Sequence, residues 1–147
     1  MKLKQITVSI ENSSGRLLEV TQALADAGIN LRALNLVDTG DFGQLRLLVS
    51  DVQKARRIMM KKHLPARVDE VVAAEIEDKP GSLANMLKPI LDMKVNITYA
   101  YAFIGLSKRK AVMVFRFSDN DKAIDILQKN GIKILDAKSF GILDTKN

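Results

Sequence analysis

Hydrophobic and polar residues alternate over residues 4–11, with Ile6, Val8 and Ile10 on one side and Thr7, Ser9 and Glu11 on the other. A period of two predicts a strand with one buried face. Asn12-Ser13-Ser14-Gly15 breaks the pattern with turn and helix-capping residues. Leu17, Val20, Leu24 and Ala27 then recur at helical spacing, and Gly28 supplies the stop. Strands over 29–37 and 45–50 flank the turn Asp38-Thr39-Gly40-Asp41. Asp51 is placed to cap a helix over 52–63, Leu64-Pro65 ends it, and 67–72 reads as a fourth strand.

The same order recurs as strand 73–78, helix 81–93, strand 95–104, a hairpin, strand 111–118, helix 120–130 and strand 132–137. Leu83, Met86, Leu87 and Ile90 line the first of these helices, and Pro89 inside it removes an amide donor and is expected to kink it. The repetition extends to individual residues. A shift of 66 positions places Ile10-Glu11 on Ile76-Glu77, Gly15 on Gly81, Leu17 on Leu83, Asp26 on Asp92 and Asn30 on Asn96. A shift of 68 places Ser50-Asp51 on Ser118-Asp119 and Lys54-Ala55 on Lys122-Ala123. The chain therefore reads as a duplication, with one copy in 1–72 and the other in 73–147.

Each copy is βαββαβ, the split arrangement of ferredoxin-like folds: α+β, an antiparallel sheet with two helices on one face. No Gly/Ser/Pro linker separates the copies, and residues 66–78 run almost unbroken from one into the other, so the two units are expected to be closely packed.

Composition narrows the chemistry. Among 147 residues there is no cysteine, which excludes disulfides, thiolate metal sites and thiol nucleophiles, and the single histidine, His63, excludes a histidine cluster. Without Trp, and with 5% aromatic residues, a base-stacking surface is not expected. The net charge of +6 divides evenly, +3 in each copy, with no basic arm of the kind that neutralises phosphates. No apolar run approaches the ~20 residues of a membrane span, and Met1-Lys2-Leu3-Lys4-Gln5 has no signal-peptide core, so a cytoplasmic protein without membrane contact is expected.

Candidate chemistry lies in three places. The first is the strand-to-helix turn of each copy, residues 11–17 and 77–83. A glycine there admits a close neighbour, and free amides at a helix start favour a carboxylate; a plain tight turn with a cap is the alternative. The second is Asn30 and Asn96, at the start of the second strand of each copy, whose side-chain amides both donate and accept. A polar residue opening a strand accounts for them equally. The third is the cationic set Lys54, Arg56, Arg57, Lys61 and Lys62, read as a solvated helix face, with His63 at that helix's C-terminus. Tyr99, Tyr101 and Phe103 share a strand face and, with Phe115 and Phe117, form a candidate core or contact between units.

Glu77-Asp78-Lys79-Pro80-Gly81-Ser82-Leu83-Ala84, followed by a helix and Val95-Asn96-Ile97, resembles the pattern of ACT domains, which are small-molecule regulatory modules. Residues 15–17 and 28–31 resemble it in the first copy, with Ser14 where proline is usual. The resemblance covers the chain as two ACT units with no catalytic domain attached, and is strongest to small stand-alone tandem ACT proteins. It implies an amino acid bound where ACT units meet, held by the turn and by the asparagine of the second strand. On this chain those residues are Asn12, Ser13, Gly15 and Asn30 in the first copy and Asp78, Gly81, Ser82 and Asn96 in the second. Asp78 departs from the pattern, since it would repel a carboxylate and suits an ammonium group. The implied protein is a non-catalytic regulator without metal or cofactor. It would act as a homodimer or on a metabolic enzyme, and the alternative is a ligand-free dimerisation subunit. An RNA-recognition module would need aromatic residues on its first and third strands, and neither first strand has one.

Overall fold

Strand β1 (Leu3–Glu11) goes further than its alternation predicts, because its polar side is buried too: Gln5 and Thr7 are both sealed from solvent. Their polar atoms are satisfied in series. Gln5 donates to the Thr7 hydroxyl at 3.2 Å, and Thr7 donates to buried Asp69 at 2.9 Å. Arg67 Nε lies 3.0 Å from the same carboxylate. A buried hydroxyl or carboxylate without such partners would be strongly destabilising.

The computed structural model describes residues 1–104 and 108–143, so the turn of the second copy's hairpin at 105–107 lies outside the described residues. After β1 come α1 (Arg16–Asp26), β2 (Leu31–Asp38), β3 (Phe42–Val49), α2 (Val52–Lys61) and β4 (Ala66–Glu77). There follow α3 (Ser82–Leu91), β5 (Ile97–Ile104), β6 (Lys110–Phe117), α4 (Asn120–Lys129), β7 (Lys133–Leu135) and a 3-10 turn at Lys138–Phe140. The strands expected at 67–72 and 73–78 are one continuous strand, β4. Helix α3 continues through Pro89 and stops at Leu91, two residues short of the expected end. Proline removes only the bond that residue 89 would donate to the Asn85 carbonyl, and the helix closes with the Met93 amide on the Ile90 carbonyl at 3.2 Å.

Contacts divide the chain into two compact units. The first comprises Lys4–Asp69 and the segment from Ala137 onward; the second comprises Met1–Leu3 and Glu70–Asp136. The first unit has strand order β2-β3-β1-β4, with β3 antiparallel to β1 and to β2. Its helices bury Val20 and Leu24 from α1 and Val52, Ala55 and Met59 from α2. The second unit has order β5-β6-β4-β7, and all three pairs are antiparallel. Its core joins Val72 and Ala74 of β4 with Met113, Phe115 and Phe117 of β6, covered by Met86 and Ile90 of α3 and Ala123, Ile126 and Leu127 of α4. Phe115 and Phe117 stack with ring centroids 5.0 Å apart. Their side of the sheet is not that of the tyrosines: Phe115 faces Ala100 across the strands, whereas Tyr101 faces Val114. The five aromatic residues therefore serve opposite faces. In both units the order is fourth-first-third-second, the ferredoxin-like βαββαβ arrangement.

Segments that cross between the copies complete each unit. Lys2 pairs with Glu70 at 2.8 Å and Asp121 at 3.2 Å in the second unit. In the first, the Leu143 amide donates to the Ser50 carbonyl at 2.8 Å, Arg32 donates to the Gly141 carbonyl, and Phe140 and Ile142 are buried.

Candidate functional site

The four main helices start in two different ways. Asp51 and Asp119 cap α2 and α4 with their carboxylates, accepting from the amides of Lys54 and Lys122. Helices α1 and α3 start instead at Gly15 and Gly81, each in the left-handed region (φ 85° and 89°), with no side-chain cap. The serines at 13 and 14 therefore do not cap α1 as the sequence suggests. A Cβ at Gly15 would meet nothing within 4 Å, and at Gly81 only Asn85 Nδ2 at 4.0 Å, so glycine is needed for its backbone angle rather than for space. The Arg16 and Ser82 amides close back on the Ser13 and Lys79 carbonyls at 3.4 and 3.3 Å, and the next amides of α1 and α3 keep hydrogen-bonding capacity at the positive end of the helix dipole.

Both turns are tied to the neighbouring hairpin by backbone: the Asn12 amide donates to the Asp41 carbonyl and the Asp78 amide to the Arg109 carbonyl. Their surroundings then diverge. The Asn12 side-chain amide reaches Asp38 Oδ1 and the Gly40 carbonyl, both at 3.3 Å, so its donor is committed to the hairpin. Arg16 bridges Glu11 and Glu19 across the first turn of α1, which places carboxylates beside that helix start. Ser13 and Gly15 are exposed in this turn.

In the second unit the first turn of α3 carries no acidic residue. Glu77 is paired to Lys110, whose hydrogen bond and charge hold the Glu77 carboxyl below its ordinary range, with a smaller contribution from Lys79. Asp78 is exposed, and its carboxylate accepts no hydrogen bond among the described residues. An open cleft of about 440 Å³ lies along this turn. Glu77, Asp78, Lys79, Gly81 and Ser82 form its polar side, and Leu83, Leu87 and Ala111 are on its apolar side.

Asn30 and Asn96 sit just ahead of β2 and β5 and are held identically. Each backbone amide donates to the hydroxyl of Ser50 or Ser118, at 2.9 and 3.0 Å, and each carbonyl accepts from the same serine's amide. Two residues beyond, a β-bulge at Arg32 and at Thr98 interrupts the register. Bulges of this kind re-aim neighbouring side chains. Both asparagine side chains are exposed and make no hydrogen bond among the described residues. Asn96 lines a neighbouring apolar cleft of about 380 Å³ with Leu91, Val95 and Ile97, and this cleft shares Ala84 and Leu87 with the turn cleft. Asp78, Gly81 and Ser82 are thus gathered on one cleft, while Asn96 stands on the next.

Sequence reasoning missed Lys79, Lys110 and the two bulges. The serine clamps were visible only as a repeated Ser-Asp pair, of which serine fixes the asparagine and aspartate caps the helix. The cations of α2 are exposed, as expected of a solvated face. No group of residues able to hold a metal ion occurs among the described residues, and none of their helices is long and apolar enough to cross a membrane.

Paired βαββαβ units with uncapped glycine turns find their counterpart in a known family: the ACT domain pair matches residues 1–143. The chain belongs to the ACT domain pair family. A solved protein from Bacteroides thetaiotaomicron is 37% identical to it, with 97% of this chain and 98% of that one covered and a TM-score of 0.89. The ligand-free regulatory subunit of aspartate kinase from Thermus thermophilus shares the fold at 17% identity, with 86% and 90% covered and a TM-score of 0.61. Aspartate kinase from Synechocystis shares it at 18% identity, with 98% of this chain but 26% of that one covered and a TM-score of 0.60. No curated protein matches the sequence. The two ACT units match the fold expected from the repeat.

Proposed function

We propose that this ACT pair is a non-catalytic regulator whose second unit binds an amino acid in the cleft along the β4–α3 turn. The observation that carries the reading is the start of α3, which faces that cleft with neither a side-chain cap nor an acid in its first turn. Free amides at the positive end of a helix attract a carboxylate, and Lys79 adds charge of the same sign. Asp78 suits the ammonium group, and Leu83, Leu87 and Ala111 receive the side chain. Gly15 heads a similar turn in the first unit, but Glu19 lies in the first turn of its helix, where α3 has Asn85, and Asn12 is committed to the hairpin, so we assign binding to the second unit. Asn96, on the adjoining cleft, would reach the ligand when a further ACT unit from a second copy closes the site. Such closure would couple occupancy to association between copies or with a metabolic enzyme, because a ligand shifts only states that bind it unequally.

A thermal-shift screen against the twenty amino acids tests this. A true ligand at about 100 times its Kd adds roughly 2.7 kcal/mol and raises the melting temperature. Asp78→Asn and Asn96→Ala should reduce the shift while leaving the unliganded melting temperature in place. A screen with no response removes the reading. It would leave a ligand-free dimerisation subunit, which exposed Leu83, Leu91, Met93 and Ile97 of the second unit favour.

A further inference from the structure

Solvation explains why the cations of α2 are exposed, but not why they share one sign. Within Val52–Lys61 the charged residues are Lys54, Arg56, Arg57 and Lys61, none is acidic, and Lys62 follows as the C-cap. Helix α4 holds the same place in the second unit and balances Lys122 and Lys129 against Asp121 and Asp125. Under the shift of 68, Arg57 and Lys61 stand where α4 has Asp125 and Lys129. Those two residues of α4 form an ion pair at 2.8 Å. One turn apart on a helix, opposite charges stabilise and like charges destabilise. The first copy therefore has a repulsion where the second has an attraction.

No counter-charge relieves it. The side chains of Arg56, Arg57, Lys61 and Lys62 make neither an ion pair nor a hydrogen bond among the described residues. Lys54 donates its ammonium to the Ala27 carbonyl at 2.7 Å, and the adjacent acid, Asp51, is spent as a cap on the Lys54 amide. Elsewhere Lys2, Arg16, Arg67 and Lys110 each hold a carboxylate. At 3.6 residues per turn, Arg56, Met60, Arg57, Lys61 and Lys54 share an outward arc of about 160°. Met60, inside that arc, is 59% exposed.

An anion on this face removes the repulsion, and the arc itself indicates its kind. Insertion into a lipid surface needs an apolar helix face, and that of α2, with Val52, Ala55 and Met59, is already buried. A nucleic acid backbone offers phosphates to the cations and nothing apolar to Met60. A peptide offers both: carboxylates for the guanidinium forks of Arg56 and Arg57, and an apolar side chain for Met60. We propose that the outer face of α2 is a docking surface for an acidic segment of a partner protein, with an apolar residue among its carboxylates seated on Met60. The surface lies in the first unit and does not depend on the turn cleft of the second.

The test is an NMR titration of the full ¹⁵N-labelled chain with two probes, decaglutamate and the same peptide with one central leucine. Both should move the α2 amides saturably and leave those of α4 in place. The leucine peptide should bind about threefold more tightly, and Met60→Ser should abolish that advantage. Arg57→Asp gives α2 the pairing that α4 already uses, so it should fold, yet raise the Kd of both peptides about tenfold. Lys122→Glu makes the same change of net charge on α4 and should leave both Kd values unchanged. The proposal is overturned by shifts spread beyond α2, by equal losses in the two charge variants, or by a leucine advantage that is absent or survives Met60→Ser. Tighter binding of duplex DNA or phosphatidylserine vesicles through the same amides also overturns it.

Discussion

His63 shows what a single residue inherits from its place in a repeat. Helix α2 ends with the His63 amide on the Met60 carbonyl and the Leu64 amide on the Met59 carbonyl, and His63 takes a left-handed φ of 56°. Helix α4 ends the same way through Gly131 and Ile132, with φ 77° at Gly131. This is a Schellman motif, whose left-handed position ordinarily goes to glycine. Histidine bears a Cβ penalty of roughly 1–2 kcal/mol there, partly offset by glycine's greater unfolded entropy. His63→Gly should therefore stabilise the protein by about 0.5–1 kcal/mol, read as a higher urea midpoint with unchanged slope. The Glu77–Lys110 pair makes a second prediction at this scale. Lys110 lowers the Glu77 pKa, so the pair's contribution is present above the ordinary carboxylate range and is lost as pH falls through the folded value. Glu77 raises the Lys110 pKa, so the same contribution fades again only as pH rises through that raised value. Lys110→Met should be less stable than wild type near neutrality, and urea titrations at about pH 3 should show the gap closing. A gap independent of pH would place the effect in packing instead. Lys79 and Glu75, the other charges near the pair, are unchanged in this comparison.

At the scale of elements, the repeat proves more informative than residue type. The shift of 68 that matched Ser50-Asp51 to Ser118-Asp119 marks one working unit used twice: the hydroxyl clamps the strand start and the carboxylate caps the helix. Asp119→Ala should cost about 1 kcal/mol through the lost cap, read by urea denaturation, without disturbing ligand affinity. Ser118→Ala should instead loosen Asn96, weakening any ligand that Asn96 contacts. Element types and order were legible because alternation and helical periods are strong and occur twice. The turn residues Gly81 and Ser82 were legible as a place but not as chemistry. Capping by side chains and non-capping by a left-handed glycine look alike in a string of small polar residues. Lys110 is 33 positions from Glu77, and a pairing across strands leaves no local mark. The burial of Gln5 and Thr7 was hidden for a similar reason, since period two reports one buried face and is silent when polar residues on the other face find partners.

For the whole molecule, the composition of the units matters most. Each copy folds as βαββαβ, yet the first unit takes in Phe140 and Ile142 and the second takes in Leu3, all buried. Removing a buried Phe or Leu side chain typically costs about 2–5 kcal/mol. A chain ending at Asp136 should therefore lose stability by at least that amount, and amide exchange should show the loss first in β2 and β3, where Arg32 and Ser50 grip the missing segment. A truncation that melted like the full chain would show that the grip contributes nothing.

The two left-handed turns carry a consequence about chirality. Gly15 and Gly81 are the points where each helix start requires a residue that L-amino acids fit poorly, and neither turn needs the space that glycine leaves. What both positions ask for is a positive φ, which a residue of the opposite hand supplies as well as glycine does. A D-alanine installed at either by chemical ligation keeps the sign of φ and narrows the unfolded chain, whereas an L-alanine must twist the turn away from the helix it begins. Mirror-image substitution is therefore a way to stiffen either turn.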